Sequence, residues 1–65
     1  MNTYQDRVRN ELTDLQQKII KLAYFQASPM CAELDAEDRN LLQEQKNTML
    51  NYAVILTARI ARFKE

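Results

Sequence analysis

The chain has 65 residues, with no glycine, no histidine and a single cysteine, Cys31. One cysteine excludes an intramolecular disulfide, and without histidine it leaves no zinc site of the Cys/His type. The lack of glycine excludes glycine-rich phosphate loops, which need a residue without a Cβ beside the phosphate. Nine basic and nine acidic residues cancel. This balance argues against binding to long nucleic acids, because such proteins neutralise phosphates with an excess of Lys and Arg.

No apolar run approaches the roughly 20 residues that cross a bilayer, and the start of the chain lacks the pattern of a signal peptide. One unpaired cysteine fits a reducing compartment. We therefore expect no membrane partner and a cytoplasmic location.

The first predicted helix covers residues 3–27. Thr3 and Asp6 have the spacing of a capping box, with Asp in place of Glu. The helix should end before Pro29, because the residue that precedes a proline is biased away from helical conformation. Apolar residues at spacings of three and four form a seam along it: Tyr4, Val8, Leu12, Leu15, Ile19 and Leu22.

A linker is predicted over residues 28–35, with Met30 and Leu34 holding it against the end of the hairpin. Asp35 is the expected N-cap of a second helix over residues 36–64. The seam of this helix comprises Leu42, Met49, Tyr52 or Ala53, Leu56, Ile60 and Phe63.

These elements predict one all-α domain over residues 1–65, an antiparallel two-helix hairpin. From Met49 to Phe63 the second helix is apolar on nearly every side, and such a helix is buried on every side. The first helix can cover only one stripe of it, so other copies of the chain must cover the rest. We therefore expect a compact helical homo-oligomer, in which a partner copy covers Leu50, Val54, Ile55 and Ala61.

The zero net charge conceals a segregation of charge along the hairpin. Residues 28–45 carry five acids against Arg39 alone, a balance of −4. The open end of the hairpin, where both termini lie, collects Arg7, Arg9, Arg59, Arg62 and Lys64. The general interpretation is that these charges complement the helix dipoles. The alternative is a site for a small anion where the open ends of several protomers meet.

Tyr4 is the aromatic residue that best fits a ligand site. It lies in the first turn at the basic open end, and with Arg7 it offers a stacking face and a cation to a nucleobase joined to a phosphate. Tyr24, Phe25 and Phe63 are interpreted as core or linker cover, and Tyr52 as a core residue with its hydroxyl directed outward or to a partner.

No group of residues supports catalysis. Cys31 has no basic residue within two positions and is interpreted as a spectator. The acidic pairs at the start of the second helix are interpreted as capping residues. We therefore expect a protein that is not an enzyme, with no catalytic residue, no metal ligand and no cofactor.

Four segments together resemble a known family over almost the whole chain and in the same order. They are Tyr4–Val8, Ile19–Phe25, Leu41-Leu42 with Gln45, Met49 and Tyr52, and Leu56–Phe63. They resemble the phage anti-CBASS cyclic-nucleotide sponges, and the related hairpin domain of anti-Thoeris sponges is similar.

The resemblance implies a homohexamer in the host cytoplasm that binds cyclic oligonucleotide second messengers without cleaving them. Its ligands would be cyclic dinucleotides such as cyclic GMP-AMP, and also cyclic trinucleotides. Tyr4 would stack on a base, Lys18 or Lys21 would contact a phosphate with Arg7 as a further contact, and Arg59 would serve a second pocket at a symmetry axis.

Three alternatives remain open on the sequence. The first is a sponge for a Thoeris-type cyclic ADP-ribose signal. The second is a protein-interaction module without a nucleotide ligand, and the third is a DNA-binding accessory protein, which the zero net charge disfavours.

Overall fold

A computed structural model describes residues 3–64, which form three helices and contain no strand. Helix α1 spans Tyr4–Gln26, α2 spans Pro29–Ala32 and α3 spans Ala36–Ala61. The all-α class predicted from the sequence is confirmed. None of these helices is long and apolar enough to cross a membrane.

Helix α1 begins with the predicted capping box. The Thr3 hydroxyl accepts a hydrogen bond from the Asp6 amide at 3.1 Å, and the Asp6 carboxylate accepts one from the Thr3 amide at 3.4 Å. Two of the otherwise unpaired amides of the first turn are thereby satisfied. The helix ends at Gln26, one residue before the predicted end, with Ala27 as its C-cap.

The predicted linker contains a one-turn helix, α2, which is absent from the elements predicted from the sequence. Ser28 is its N-cap, accepting from the Cys31 amide at 3.3 Å, and Pro29 occupies the first turn. Proline is favoured there because its fixed φ suits a helix. Backbone N–H groups of the first turn have no acceptor within the helix, so the missing N–H of proline removes no hydrogen bond. Cys31 is buried, whereas Met30 is 68% exposed. The prediction that Met30 holds the linker in place is therefore wrong, and the buried linker residue is Cys31.

Helix α3 begins after its predicted cap, since the Asp35 carboxylate accepts from the Asp38 amide at 2.8 Å. It ends at Ala61 rather than near residue 64, with Arg62 as C-cap. The remaining chain turns back over the start of α1, where Phe63 packs against the core and the Gln5 side-chain Nε2 donates to the Lys64 carbonyl at 3.3 Å. Residues 62–64 are therefore not helical as predicted, and Phe63 packs against the core from beyond the end of α3.

The two long helices lie antiparallel in a rod with extents of 48 × 18 × 13 Å. Val8 and Leu15 of α1 form the core with Leu56 of α3, which is 0% exposed. Ala53 packs against this core, whereas Tyr52 is 40% exposed. The alternatives left open for the seam are thus resolved in favour of Ala53. The interpretation of Tyr52 as a core residue is wrong, because one α1 helix covers only a narrow stripe of α3.

Much of the apolar surface lies outside this core. Tyr24 is 77% exposed, so its interpretation as core or linker cover is wrong. On α3, Leu50, Val54 and Ile55 are all exposed. The hairpin therefore presents the apolar face that the sequence analysis expects a partner copy to cover.

Candidate functional site

Three side chains at the open end of the hairpin bring aromatic rings and a cation together. The Tyr4 ring, at the start of α1, lies 5.9 Å from the Phe63 ring at an interplanar angle of 58°. The Arg59 guanidinium lies over the Tyr4 ring, 5.7 Å from its centroid, and also donates a hydrogen bond to the Tyr4 hydroxyl. We call Tyr4, Arg59, Phe63 and the adjoining Arg9 the open-end cluster.

Arg9 adds a second cation to this cluster. Its guanidinium lies 5.4 Å from the centroid of the Phe63 ring and 3.6 Å from the Asp6 carboxylate. Each ring of the cluster therefore has one arginine near it, Arg9 at Phe63 and Arg59 at Tyr4. At exposed sites a cation–π contact contributes about 0.5–1 kcal/mol.

Arg59 places a permanent positive charge and several N–H donors at this surface. The hydrogen bond to Tyr4 raises the pKa of its guanidinium further above its already high usual value. A guanidinium carries five N–H donors. The Tyr4 hydroxyl uses Nη2, and the remaining donors are available to an oxygen of a ligand.

The structure brings together Tyr4 and Arg59, two site residues that the sequence predicts for different pockets. Tyr4 was expected to act with Arg7, and Arg59 to serve a second pocket. The guanidinium over the Tyr4 ring belongs to Arg59 instead, and Arg7 is exposed one turn further along α1. Tyr4 is 59% exposed, so ring surface remains free to stack on a base.

Lys18 and Lys21 are exposed on α1 and lie far from the open-end cluster. They follow Tyr4 by fourteen and seventeen residues. At about 1.5 Å per residue this places them about 21 and 25 Å further along the helix axis. The five predicted residues therefore do not form one site within a single chain.

A second tyrosine lies next to the open-end cluster. The Tyr52 hydroxyl on α3 donates a hydrogen bond to the Glu11 carboxylate on α1. This hydrogen bond raises the pKa of Tyr52 above its usual value, and proximity to the Glu11 charge adds to the increase. The sequence contains one sign that Tyr52 lies near this cluster. Tyr52 precedes Arg59 by seven residues, a spacing that places both on one face of α3, two turns apart.

The described part of the chain, residues 3–64, contains no group of three or more His, Cys, Asp or Glu side chains arranged to hold a metal ion. What the open-end cluster presents is an exposed ring and cationic N–H donors. Such a set stacks on a planar base and binds phosphate oxygens.

Comparison with known proteins identifies the family. The Sequestin family model matches residues 2–62. A protein of Enterobacteria phage T4, described as an uncharacterized 7.5 kDa protein in the denB-rIIB intergenic region, is 39% identical over 64 residues. This alignment covers 98% of the chain and 100% of the phage protein. No solved structure matches the chain. The chain therefore belongs to the Sequestin family, a family of phage sponge proteins.

Proposed function

We propose that the protein binds cyclic oligonucleotide second messengers in the host cytoplasm and withholds them, without cleaving them, from CBASS-type effectors. The proposed ligands are cyclic dinucleotides such as cyclic GMP-AMP, and also cyclic trinucleotides. The observation that carries the proposal is the exposed ring of Tyr4 held against the Arg59 guanidinium in a member of a phage sponge family.

The open-end cluster supplies both kinds of contact that such a ligand needs. The exposed area of the Tyr4 ring stacks on a base, a contact worth about 1–3 kcal/mol per base. The unused N–H donors of Arg59 bind a phosphate oxygen by charge-assisted hydrogen bonds. The contact of Phe63 with Tyr4 and the hydrogen bond from Arg59 limit the movement of the ring, which lowers the ordering cost of binding.

A complete site requires more than one copy of the chain. A cyclic dinucleotide has two bases, whereas one open-end cluster contains one largely exposed ring, Tyr4. Lys18 or Lys21 contacts the same ligand only from another copy, because about 21 Å or more of helix separates them from Tyr4. The exposed apolar residues of α3 supply the surface through which copies assemble. The proposed assembly is the homohexamer that the family resemblance implies.

The test is to mix the purified protein with cyclic GMP-AMP, remove free nucleotide, denature the protein by heat and analyse what is released. We expect intact cyclic GMP-AMP, with fewer than one ligand per chain. Release of a linear or monomeric nucleotide would show catalysis and contradict the proposal. Failure to bind any cyclic dinucleotide or trinucleotide at micromolar concentration would favour a protein-interaction module instead.

A cyclic ADP-ribose signal of the Thoeris type is the second candidate. It joins one base to two phosphates, and one open-end cluster offers one largely exposed ring beside two arginines. The stoichiometry separates the two candidates. A ligand with one base is expected to reach one molecule per chain, whereas a cyclic dinucleotide that uses two Tyr4 rings reaches one molecule per two chains.

A further inference from the structure

We propose that the Glu11 carboxylate reads the base that stacks on Tyr4 and selects guanine over adenine. This inference rests on the function proposed above, and it names the preferred class of cyclic oligonucleotide as one that contains guanine. Glu11 follows Tyr4 on α1 by seven residues. Its partner Tyr52 precedes Arg59 on α3 by the same number. The two cross-helix pairs therefore lie on one face of the hairpin, two turns and about 10.5 Å apart.

The side chains of the two pairs lean toward each other across this interval. A side chain on a helix leans toward the N-terminus of its own helix. Glu11 therefore leans toward Tyr4, and Arg59, on the antiparallel helix, leans toward Tyr52. The hydrogen bond to Tyr4 is the largest cause of the raised pKa of Arg59, and the charge of Glu11 adds to it. A base that stacks on Tyr4 and extends along α1 brings its edge to Glu11.

Glu11 has both the exposure and the accepting capacity that base reading needs. An ionised carboxylate offers two oxygens and about four lone-pair positions. The Tyr52 hydroxyl donates to Oε2, whereas Oε1 accepts no hydrogen bond from residues 3–64. Glu11 and Tyr52 are both exposed, so a ligand can reach this carboxylate. The hydrogen bond from Tyr52 orients the carboxylate before the ligand arrives, which lowers the ordering cost of binding.

Glu11 differs from the other acid near the open end in what it contacts. Asp6 caps α1 and pairs with Arg9. Within residues 3–64 no Lys or Arg pairs with Glu11, whose partner is the neutral Tyr52 hydroxyl. An unneutralised carboxylate repels the phosphates of the proposed ligand, so it lowers affinity unless it accepts hydrogen bonds from that ligand. A group that penalises one ligand and binds another contributes specificity rather than affinity.

The chemistry of a carboxylate selects guanine. The Watson–Crick edge of guanine presents two adjacent donors, N1–H and N2–H, which pair with the two oxygens of one ionised carboxylate. Adenine presents an acceptor at N1 beside its N6 donors, so the N1 lone pair would face the negative charge of Glu11. A bidentate pair of this kind discriminates between bases by about fivefold to 150-fold.

Calorimetric titration of the full chain with cyclic di-GMP and cyclic di-AMP tests this inference, because the two ligands carry the same phosphates and differ only in their bases. The unaltered chain should bind cyclic di-GMP at least about fivefold more tightly. Glu11→Gln should favour cyclic di-AMP instead. The amide keeps an acceptor for the Tyr52 hydroxyl and offers adenine the donor and acceptor that it pairs with. The lost charge strengthens binding of both ligands alike, so it cancels in the ratio of their affinities.

Glu44→Gln is the matched control and should keep the preference for cyclic di-GMP. Glu44 is an exposed glutamate in the half of α3 nearer the closed end of the hairpin, where α2 joins the long helices. Equal affinities of the unaltered chain for the two ligands, or equal changes in both affinities in Glu11→Gln, overturn the inference and leave the proposed function standing. Failure to bind either ligand also overturns the inference. Failure to bind any cyclic dinucleotide or trinucleotide overturns the proposed function with it.

Discussion

Arg59 donates a hydrogen bond to the hydroxyl of Tyr4, a residue 55 positions earlier in the chain, and its guanidinium lies over the Tyr4 ring. The contact joins the beginning of α1 to the end of α3, so it exists only once the hairpin has closed. It places an aromatic surface and a permanent cation side by side before any ligand arrives. Such preorganisation favours tight binding, because fewer side chains lose freedom on association.

Replacing Tyr4 by alanine should weaken cyclic dinucleotide binding by about 1–3 kcal/mol for each stacked base, which is roughly fivefold to 150-fold. Tyr4→Phe should retain most of the affinity, because it keeps the ring and loses only the hydroxyl that Arg59 contacts. Calorimetric titration measures both. Tyr24→Ala is the matched control, since Tyr24 is an exposed tyrosine at the closed end. An equal loss in Tyr24→Ala and Tyr4→Ala would contradict the stacking role.

The elements that rest on local chemistry were predictable from the sequence. The capping residues Thr3 and Asp35 each predict the start of a helix, because a side-chain oxygen at that position accepts a hydrogen bond from an otherwise unpaired backbone amide of the first turn. The seam through Val8, Leu15 and Leu56 follows from helical periodicity. The end of α3 was not predictable in this way. Phe63 continues the apolar spacing, and only its packing beyond the end of the helix removes it from α3.

The sequence was sufficient to predict which residues form the candidate site, but it was not sufficient to predict which of them contact each other. Tyr4 and Arg59 are recognisable as an aromatic and a cation at the open end. Whether Arg59 reaches Tyr4 depends on the rotation of α3 about its axis, and periodicity constrains that angle only to the width of the apolar stripe. Because this stripe is broad on α3, the sequence pointed to the nearby Arg7 rather than Arg59 as the partner of Tyr4, and it left Tyr52 and Ala53 as alternatives for the core position.

Introducing a charge on the exposed apolar face of α3 should dissociate the proposed assembly. Val54 is 67% exposed and, with Leu50 and Ala58, lines an apolar groove. Val54→Asp places an unpaired charge where another chain would cover it, and burial of such a charge is strongly unfavourable. Light scattering should then give a smaller mass, and nucleotide binding should be lost with it. Thr48→Asp, at an exposed polar position of the same helix, should leave the mass unchanged. A mass of 7.7 kDa for the unaltered chain would itself contradict assembly.

Removal of the cap of α3 should lower the stability of the hairpin. Asp35→Ala deletes the oxygen that accepts from the Asp38 amide at 2.8 Å, and loss of such a cap costs about 1 kcal/mol. Asp35→Asn should retain most of the stability, because Asn is an equally good N-cap. Urea unfolding at one fixed protein concentration compares the variants, since the stability of an oligomer depends on concentration. Equal losses in the two variants would assign the effect to the charge of Asp35 rather than to capping.

The contact of Tyr52 with Glu11 should make stability depend on alkaline pH. The hydrogen bond to Glu11 raises the pKa of Tyr52 in the folded state, so the folded protein holds this proton more tightly than the unfolded chain. The stabilisation is therefore fully present below the unfolded pKa of about 10 and is lost as pH rises through the higher folded value. Urea unfolding from neutral pH to about pH 11 should show a steeper alkaline decline in stability for the unaltered chain than for Tyr52→Phe.

Tyr24→Phe is the control and should keep this decline, because no Tyr24 hydroxyl contact exists within residues 3–64. Superimposable curves for the unaltered chain and Tyr52→Phe would show that Glu11 does not stabilise the protonated tyrosine.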